Sequence, residues 1–275
     1  MRLGCYGFAL PDLTDAGHLL RPVAPEAPVL RVTQRRPAAG ESLLADEHDP
    51  SSIPFSGGGG HVRLDRAGPG AHYVTDRELP HEHLVHPYLA RVAASAAGWS
   101  GRDALHAGAI DLGGHAWGVL GTRDSGKSSL LTQAHVLGLP VLTDDVVVLA
   151  EGQVLPGPAS IDLREGAAAH FGIGEALGRV GRRDRWRVTL PPASAAPLAG
   201  WVLPLWDDDV SVAPVPLSSR LPLLMVNRAL AGPPPDPAQF FELAAFPVLV
   251  WRRPRDWSQM AQATDVLLQH LRRIS

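Results

Sequence analysis

Apolar residues in this chain fall mostly in short runs bounded by glycine, proline and acidic positions, a pattern of strands punctuated by turns. Residues 2–10 and 29–33 read as strands. Residues 37–61 contain four successive glycines, 57–60. Glycine loses more backbone freedom on ordering than any other residue, so this stretch is expected as a loop or hinge. Runs 61–65 and 72–75 flank Gly68 and Gly70 and predict a hairpin. A helix is expected next. Pro87 suits a first turn, Leu89, Val92, Ala93 and Ala96 recur at helical spacing, and Gly98 suits the stop.

From residue 104 the pattern changes. Strands are expected at 104–110 and 115–120, then a glycine-bearing loop at 121–128 and a helix at 129–136. Apolar runs 141–142 and 146–149 read as strand on either side of Thr143-Asp144-Asp145. That order, strand, loop, helix, strand, is α/β. Beyond it, 163–177 reads as helix, and 186–190, 200–205, 221–226 and 246–251 as strands. Residues 207–209 make a polar turn and 232–237 a proline-rich connector. Residues 258–271 predict an amphipathic helix with Met260, Ala263, Val266, Leu267 and Leu271 on one face. The expected organisation is a β-rich N-terminal module with a linking helix, 1–99, ahead of a larger α/β domain, 100–275.

Composition narrows the classes. Of 275 residues, 45% are apolar, enough for a sizeable core. The net charge of -3 gives no global field favouring nucleic acid or an anionic membrane, so neither is expected as a partner. No apolar run approaches the ~18 residues of a membrane span. Cys5 is the sole cysteine, which excludes an internal disulfide framework and fits a reducing cytoplasm. The first residues lack the apolar stretch of a secretory signal. A homo-oligomer stays open.

The candidate chemistry begins at Gly121-Thr122-Arg123-Asp124-Ser125-Gly126-Lys127-Ser128, which fits G-x-x-x-x-G-K-[ST] between an apolar strand and a helix. Glycines let successive backbone N–H groups turn toward phosphate oxygens. The helix that starts near Lys127 aims its positive dipole end at the same anion. Lys127 adds a point charge, and the Ser128 hydroxyl suits Mg²⁺, a hard ion. These residues, with Ser129 following, predict an ATP site. Asp144 and Asp145 then supply carboxylates at a strand end. One can hold the metal while the other accepts a proton from an acceptor hydroxyl. A small-molecule kinase, a nucleotide hydrolase and a non-catalytic nucleotide binder would share this loop.

Leu105-His106-Ala107-Gly108-Ala109-Ile110, then Gly118-Val119-Leu120-Gly121 with the phosphate loop, then Leu142-Thr143-Asp144-Asp145-Val146, together resemble the catalytic domain of HPr kinase/phosphorylase. The resemblance runs from about His106 to Arg164. It implies a fold related to phosphoenolpyruvate carboxykinase and a kinase acting on a serine hydroxyl of a peptide or protein. By that match Asp144 would be the base, Asp145 would support Mg²⁺ and His106 would sit beside them. Ile161-Asp162-Leu163-Arg164 resembles the family's Glu-x-Arg-Gly element, with Asp162 for Glu and Glu165 for Gly. Arg164 would then stabilise transferred charge and Asp162 help with metal. The N-terminal part does not resemble that of the bacterial HPr enzymes. The short layout is similar to HPr-kinase-like proteins of ribosomal-peptide clusters, lasso peptides included, which implies a precursor peptide as acceptor.

Two further clusters stand out. Arg179, Arg182, Arg183, Arg185 and Arg187 form a basic run around Trp186, fit for an acidic acceptor, for phosphates or for a solvated face. His81, His83 and His86 lack the fourth ligand of a structural zinc site.

Overall fold

The structure is a computed structural model that describes residues 2–46, 49, 51–55, 59–230 and 232–274. Gly57 and Gly58 of the expected hinge lie outside the described residues. Strands β1 (Arg2–Cys5), β2 (Phe8–Ala9) and β3 (Arg21–Val23) form one small antiparallel sheet, with a 3₁₀ segment at Pro11–Leu19. Strands β4 (Arg31–Arg35), β5 (Ser52–Pro54), β6 (Gly60–Asp65) and β7 (Gly70–Thr75) form a second sheet in the order β4-β7-β6-β5. The expected hairpin is β6–β7. One helical turn, α1 (His81–His83), and the segment Leu84–Tyr88 lead into α2 (Leu89–Trp99). Pro87 therefore does not open the helix. His86 before it is extended (φ -146, ψ 121), as the clash with a following proline ring favours.

The rest is built on a mixed sheet and a smaller antiparallel one. Strands β8 (Asp103–Leu105), β9 (Gly108–Leu112) and β10 (His115–Val119) precede the loop and α3 (Lys127–Val136). After α3 come β11 (Val141–Thr143), β12 (Val147–Ala150), β13 (Gln153–Leu155) and β14 (Ser160–Leu163). Next are α4 (Glu165–Phe171), β15 (Glu175–Val180), β16 (Arg183–Thr189) and β17 (Ala196–Trp206). β18 (Ser211–Pro214), α5 (Leu217–Val226), α6 (Pro237–Leu243), β19 (Val248–Arg253) and α7 (Met260–Ile274) close the chain. The mixed sheet runs β11-β9-β10-β17-β13-β12-β8, with β19 and β18 joined through β17. β14, β16 and β15 make the smaller sheet.

Alternation along the strands gives the mixed sheet two apolar faces. Trp117, Val119, Val202 and Leu249 pack with Leu130 and Leu131 of α3 and Leu267 and Leu271 of α7. Ala116, Leu120 and Leu198 face Leu224 of α5 and Phe240 of α6. Each leucine so buried contributes roughly 1.5–3 kcal/mol. Central strands β10 and β17 run parallel, with Trp117 opposite Gly200 and Gly118 opposite Trp201. Each indole covers the neighbouring glycine, where a Cβ would overlap the ring. The strand that delivers the loop is locked by this reciprocal fit.

Several expected elements change. The 104–110 strand breaks into β8 and β9, because the backbone N–H of His106 leaves the sheet to bond Asn227 O at 2.6 Å. Residues 221–226 are helical, in α5, since an apolar run that short fits either element. The 163–177 helix shrinks to α4, stopped at Gly172 (φ 65). In α7 the buried stripe includes Thr264 and Leu268, while Val266 is exposed.

The segments expected on either side of residue 99 share packing. Ala104, Val146 and Val148 belong to the apolar cluster of β1, β4 and α2. The buried Arg21 guanidinium donates to the carbonyls of Val141, Gly157 and Pro191. No helix of the described residues is long and apolar enough to cross a membrane.

Candidate active site

The loop leaves β10 at its C-terminal end. Leu120 still bonds Val202 O at 2.8 Å, and the Gly121 N–H then turns to the Asn227 side-chain oxygen at 3.1 Å. Asp124 (φ 66) and Gly126 (φ 84) take left-handed backbone, and Gly126 caps α3. A side chain at 126 would also collide with the Arg253 guanidinium, which donates to Ser125 O at 2.9 Å. Arg253 is stacked between Trp206 and Trp251, 4.1 Å from each ring. The Trp206 indole donates to Asp124 O at 3.0 Å. The loop is thus braced from outside by β17 and β19.

Inside the loop, the buried Lys127 ammonium donates to the carbonyls of Gly121 (2.6 Å) and Thr122 (3.1 Å). Burial lowers its proton affinity against the opposing pull of Asp144 and Asp145. The Ser125 hydroxyl is buried with no hydrogen-bond partner among the described residues. An oxygen-rich anion, which accepts hydrogen bonds only, suits that donor and the N-terminus of α3.

Asp144 and Asp145 follow β11 in a turn held by the Thr143 hydroxyl on Val146 O, 2.7 Å. The Ser128 hydroxyl lies 3.3 Å from each Asp144 carboxylate oxygen. Asp145 has φ 68, so consecutive carboxylates point differently. Asp144 is buried, and Asp145 lines the cleft. Burial and the neighbouring Asp145 charge push Asp144 up to about 6. Burial pushes Asp145 up too, but the hydrogen bond and charge of His86 outweigh it and hold Asp145 below the usual carboxylate range.

His86, which the sequence offered only as one of three grouped histidines, joins the acidic pair. Its Nε2 lies 3.1 Å from Asp145 Oδ2, and its Nδ1 lies 2.8 Å from the Ser160 hydroxyl and 3.8 Å from Asp162 Oδ1. Burial lowers its proton affinity, yet Asp162 and Asp145 outweigh this and raise it. Ser160 is itself buried on β14, so the Ser-His-Asp chain presents no nucleophile. Among the described residues, His86, Asp144 and Asp145 form a cluster able to hold a metal ion. Of the histidines grouped in the sequence, His81 instead faces Asp15 at 3.4 Å.

Asp162 is fully buried and bound by Arg187 at 2.8 and 3.1 Å and by Arg185 at 3.3 Å. Arg187 also donates to His86 O at 2.6 Å. Asp162 therefore serves an arginine network that orients His86. The basic run is a hairpin, β15–β16, whose Arg182, Arg183 and Arg185 line the cleft. Arg164 sits on the rim, 2.5 Å from Asp124. His106 lines the cleft as well, its proton affinity lowered by burial and by Lys127.

These parts enclose a cleft of about 660 Å³, in the range of small-ligand sites. The structure brings together residues 122–124 and 126–129, Asp145, His106, Asp162 and Arg164 around it, with Asp144 directly behind Ser128, while Gly121 and Ser125 do not line it. Asn227, which holds both Gly121 and the His106 backbone, left no signal in the sequence, because its helix reads equally as strand.

A scan of protein-family models finds no match, and a search of curated proteins finds none. Among solved structures, the Hpr(Ser) kinase/phosphatase of Coxiella burnetii is similar at 10% identity and a TM-score of 0.32, over 62% of this chain and 97% of that one. At that TM-score the likeness assigns neither an activity nor a residue role.

Proposed function

We propose that the chain is an ATP-dependent kinase that phosphorylates a serine hydroxyl on a peptide or protein. The observation that carries this reading is the meeting of Lys127 and Ser128, at the start of α3, with Asp145 at one cleft, and Asp144 directly behind Ser128. A nucleotide binder needs the loop. The cleft-facing Asp145, held by a buried histidine, is what group transfer adds. The family resemblance contributes the acceptor, a ribosomally made precursor peptide of the lasso class.

Lys127, the Ser125 hydroxyl and the α3 N-terminus would hold the β- and γ-phosphates. Ser128 and Asp144 offer the hard oxygens for Mg²⁺, which when bound supplies charge neutralisation on the phosphates. Asp145 would accept the hydroxyl proton of the acceptor, with His86 fixing its orientation. This reverses the roles the resemblance implies for the two carboxylates. Proton affinity favours Asp144 as base and access favours Asp145. Reach to the hydroxyl decides first, and Asp145 is the one on the cleft wall. Arg185 would meet negative charge developing on the transferred group.

The test is a pair of isosteric variants. Asp145→Asn should cut single-turnover transfer to a serine peptide by ~10²–10⁴-fold with ATP affinity kept. Asp144→Asn should raise the Mg²⁺ requirement and weaken ATP binding. The opposite result restores the allocation that the resemblance implies. Loss of binding alone in both variants reduces the pair to a metal site and removes the case for a kinase.

A further inference from the structure

The cleft continues past the loop along residues 254–257 to Trp257 and Met260. Arg253 touches Ser125 O, and four residues extend at most ~3.6 Å each, so Trp257 lies within about 14 Å of the loop's brace. Trp257 is 41% exposed, uncommon for tryptophan, and His170 stacks on its ring at 4.7 Å and 19°. Phe171 meets it edge-on at 6.0 Å. The ring is therefore fixed from behind and turned to the cleft. Trp206, nearer the loop, is already engaged by Arg253 at 4.1 Å and Arg255 at 5.7 Å.

We propose that Trp257, backed by His170, is the stacking platform for the base of the nucleoside triphosphate whose phosphates the loop holds. The proposal rests on the nucleotide-binding reading of that loop. Phosphate recognition and base recognition are then divided along one cleft, with charge and backbone N–H groups at the loop and an aromatic face at the start of α7. Every base has a π-face, so the platform selects for a base without choosing strongly among bases.

The experiment compares ATP, GTP and inorganic tripolyphosphate, each with Mg²⁺, by calorimetry on the wild type, Trp257→Ala and Trp257→Phe. The wild type should bind ATP and GTP within about fivefold of each other, and both more tightly than tripolyphosphate. Trp257→Ala should lose roughly 10- to 100-fold for the nucleotides and nothing for tripolyphosphate, with Trp257→Phe keeping most of the affinity. Retained tripolyphosphate binding doubles as proof that the variant folds. Equal loss for all three ligands, no loss at all, or tripolyphosphate bound as tightly as ATP overturns the platform and leaves the loop reading standing. A wild type that binds none of the three overturns both.

Discussion

The two walls of the cleft are built by different means. On the loop wall, the groups proposed to meet a phosphate come from one continuous stretch, residues 121–128, placed by one strand end and one helix start. On the opposite wall, His86, Ser160, Asp162, Arg185 and Arg187 converge from separate elements into one buried charged network. The loop wall is polar toward the cleft, with left-handed backbone at Asp124 and Gly126. The far wall satisfies its own charges and presents little besides Asp145 and the arginines. Under the proposed function the loop wall would hold the ligand, and the far wall would aim the reacting carboxylate.

The largest expected effect separates the two. Lys127→Ala should abolish transfer and weaken ATP binding, and Lys127→Arg should fail too, because a planar guanidinium does not fit where a compact ammonium sits between two loop carbonyls. Stability should change by no more than about 1 kcal/mol, since removing a buried charge relieves desolvation as it removes two hydrogen bonds. Turnover of a serine peptide at the unsubstituted protein's rate would break the loop reading.

The far wall should respond in the opposite sense. Arg187→Leu removes the bidentate partner of a fully buried Asp162, and breaking such a pair costs about 3–5 kcal/mol. Arg185 remains 3.3 Å from Asp162, which puts the expected loss near the lower figure. The double variant Arg187→Leu/Asp162→Leu should recover part of it, because the buried carboxylate leaves with its main partner and Arg185, 12% exposed, loses only a single 3.3 Å contact. Urea denaturation reads both. A single variant as stable as wild type would mean that the network is not what holds this wall.

The same contrast explains what could be read before the structure. A phosphate cradle must be local, since adjacent N–H groups have to converge on one anion, so Gly121 to Ser128 was legible as a string of letters. The Asp144-Asp145 pair was legible for the same reason. Contacts across the chain leave no such string. His86 reaches Asp145 over 59 positions, Asn227 reaches Gly121 over 106 and Arg253 reaches Ser125 over 128. Strands β9, β10 and β19 and helix α7 followed from periodicity. The helix α5 did not, because Leu-Pro-Leu-Leu-Met-Val is apolar throughout and carries neither period. The basic run was visible, but not that its alternation in β16 sends Arg185 and Arg187 to one buried carboxylate.

The smallest expected effect lies where the walls touch. Arg164 caps α4 on the far wall and meets Asp124 of the loop at 2.5 Å, with side chains 46% and 51% exposed. Solvent screens a pair so placed, and such pairs are worth about 0–1 kcal/mol. Arg164→Ala and Asp124→Asn, the latter tolerant of the left-handed backbone at that position, should therefore each shift stability by less than about 1 kcal/mol, and their coupling in a double-mutant cycle should shrink between about 0.05 and 0.5 M salt. Their effects on phosphate ligands should diverge. Asp124→Asn deletes a negative charge beside the loop and frees the guanidinium, so tripolyphosphate affinity should rise about two- to fivefold, while Arg164→Ala should lower it by a similar factor. Calorimetry at two salt concentrations measures both. A coupling above about 2 kcal/mol that survives high salt would make the pair a structural clasp. The walls would then move as one piece, and the division of labour between holding the ligand and aiming the carboxylate would fail.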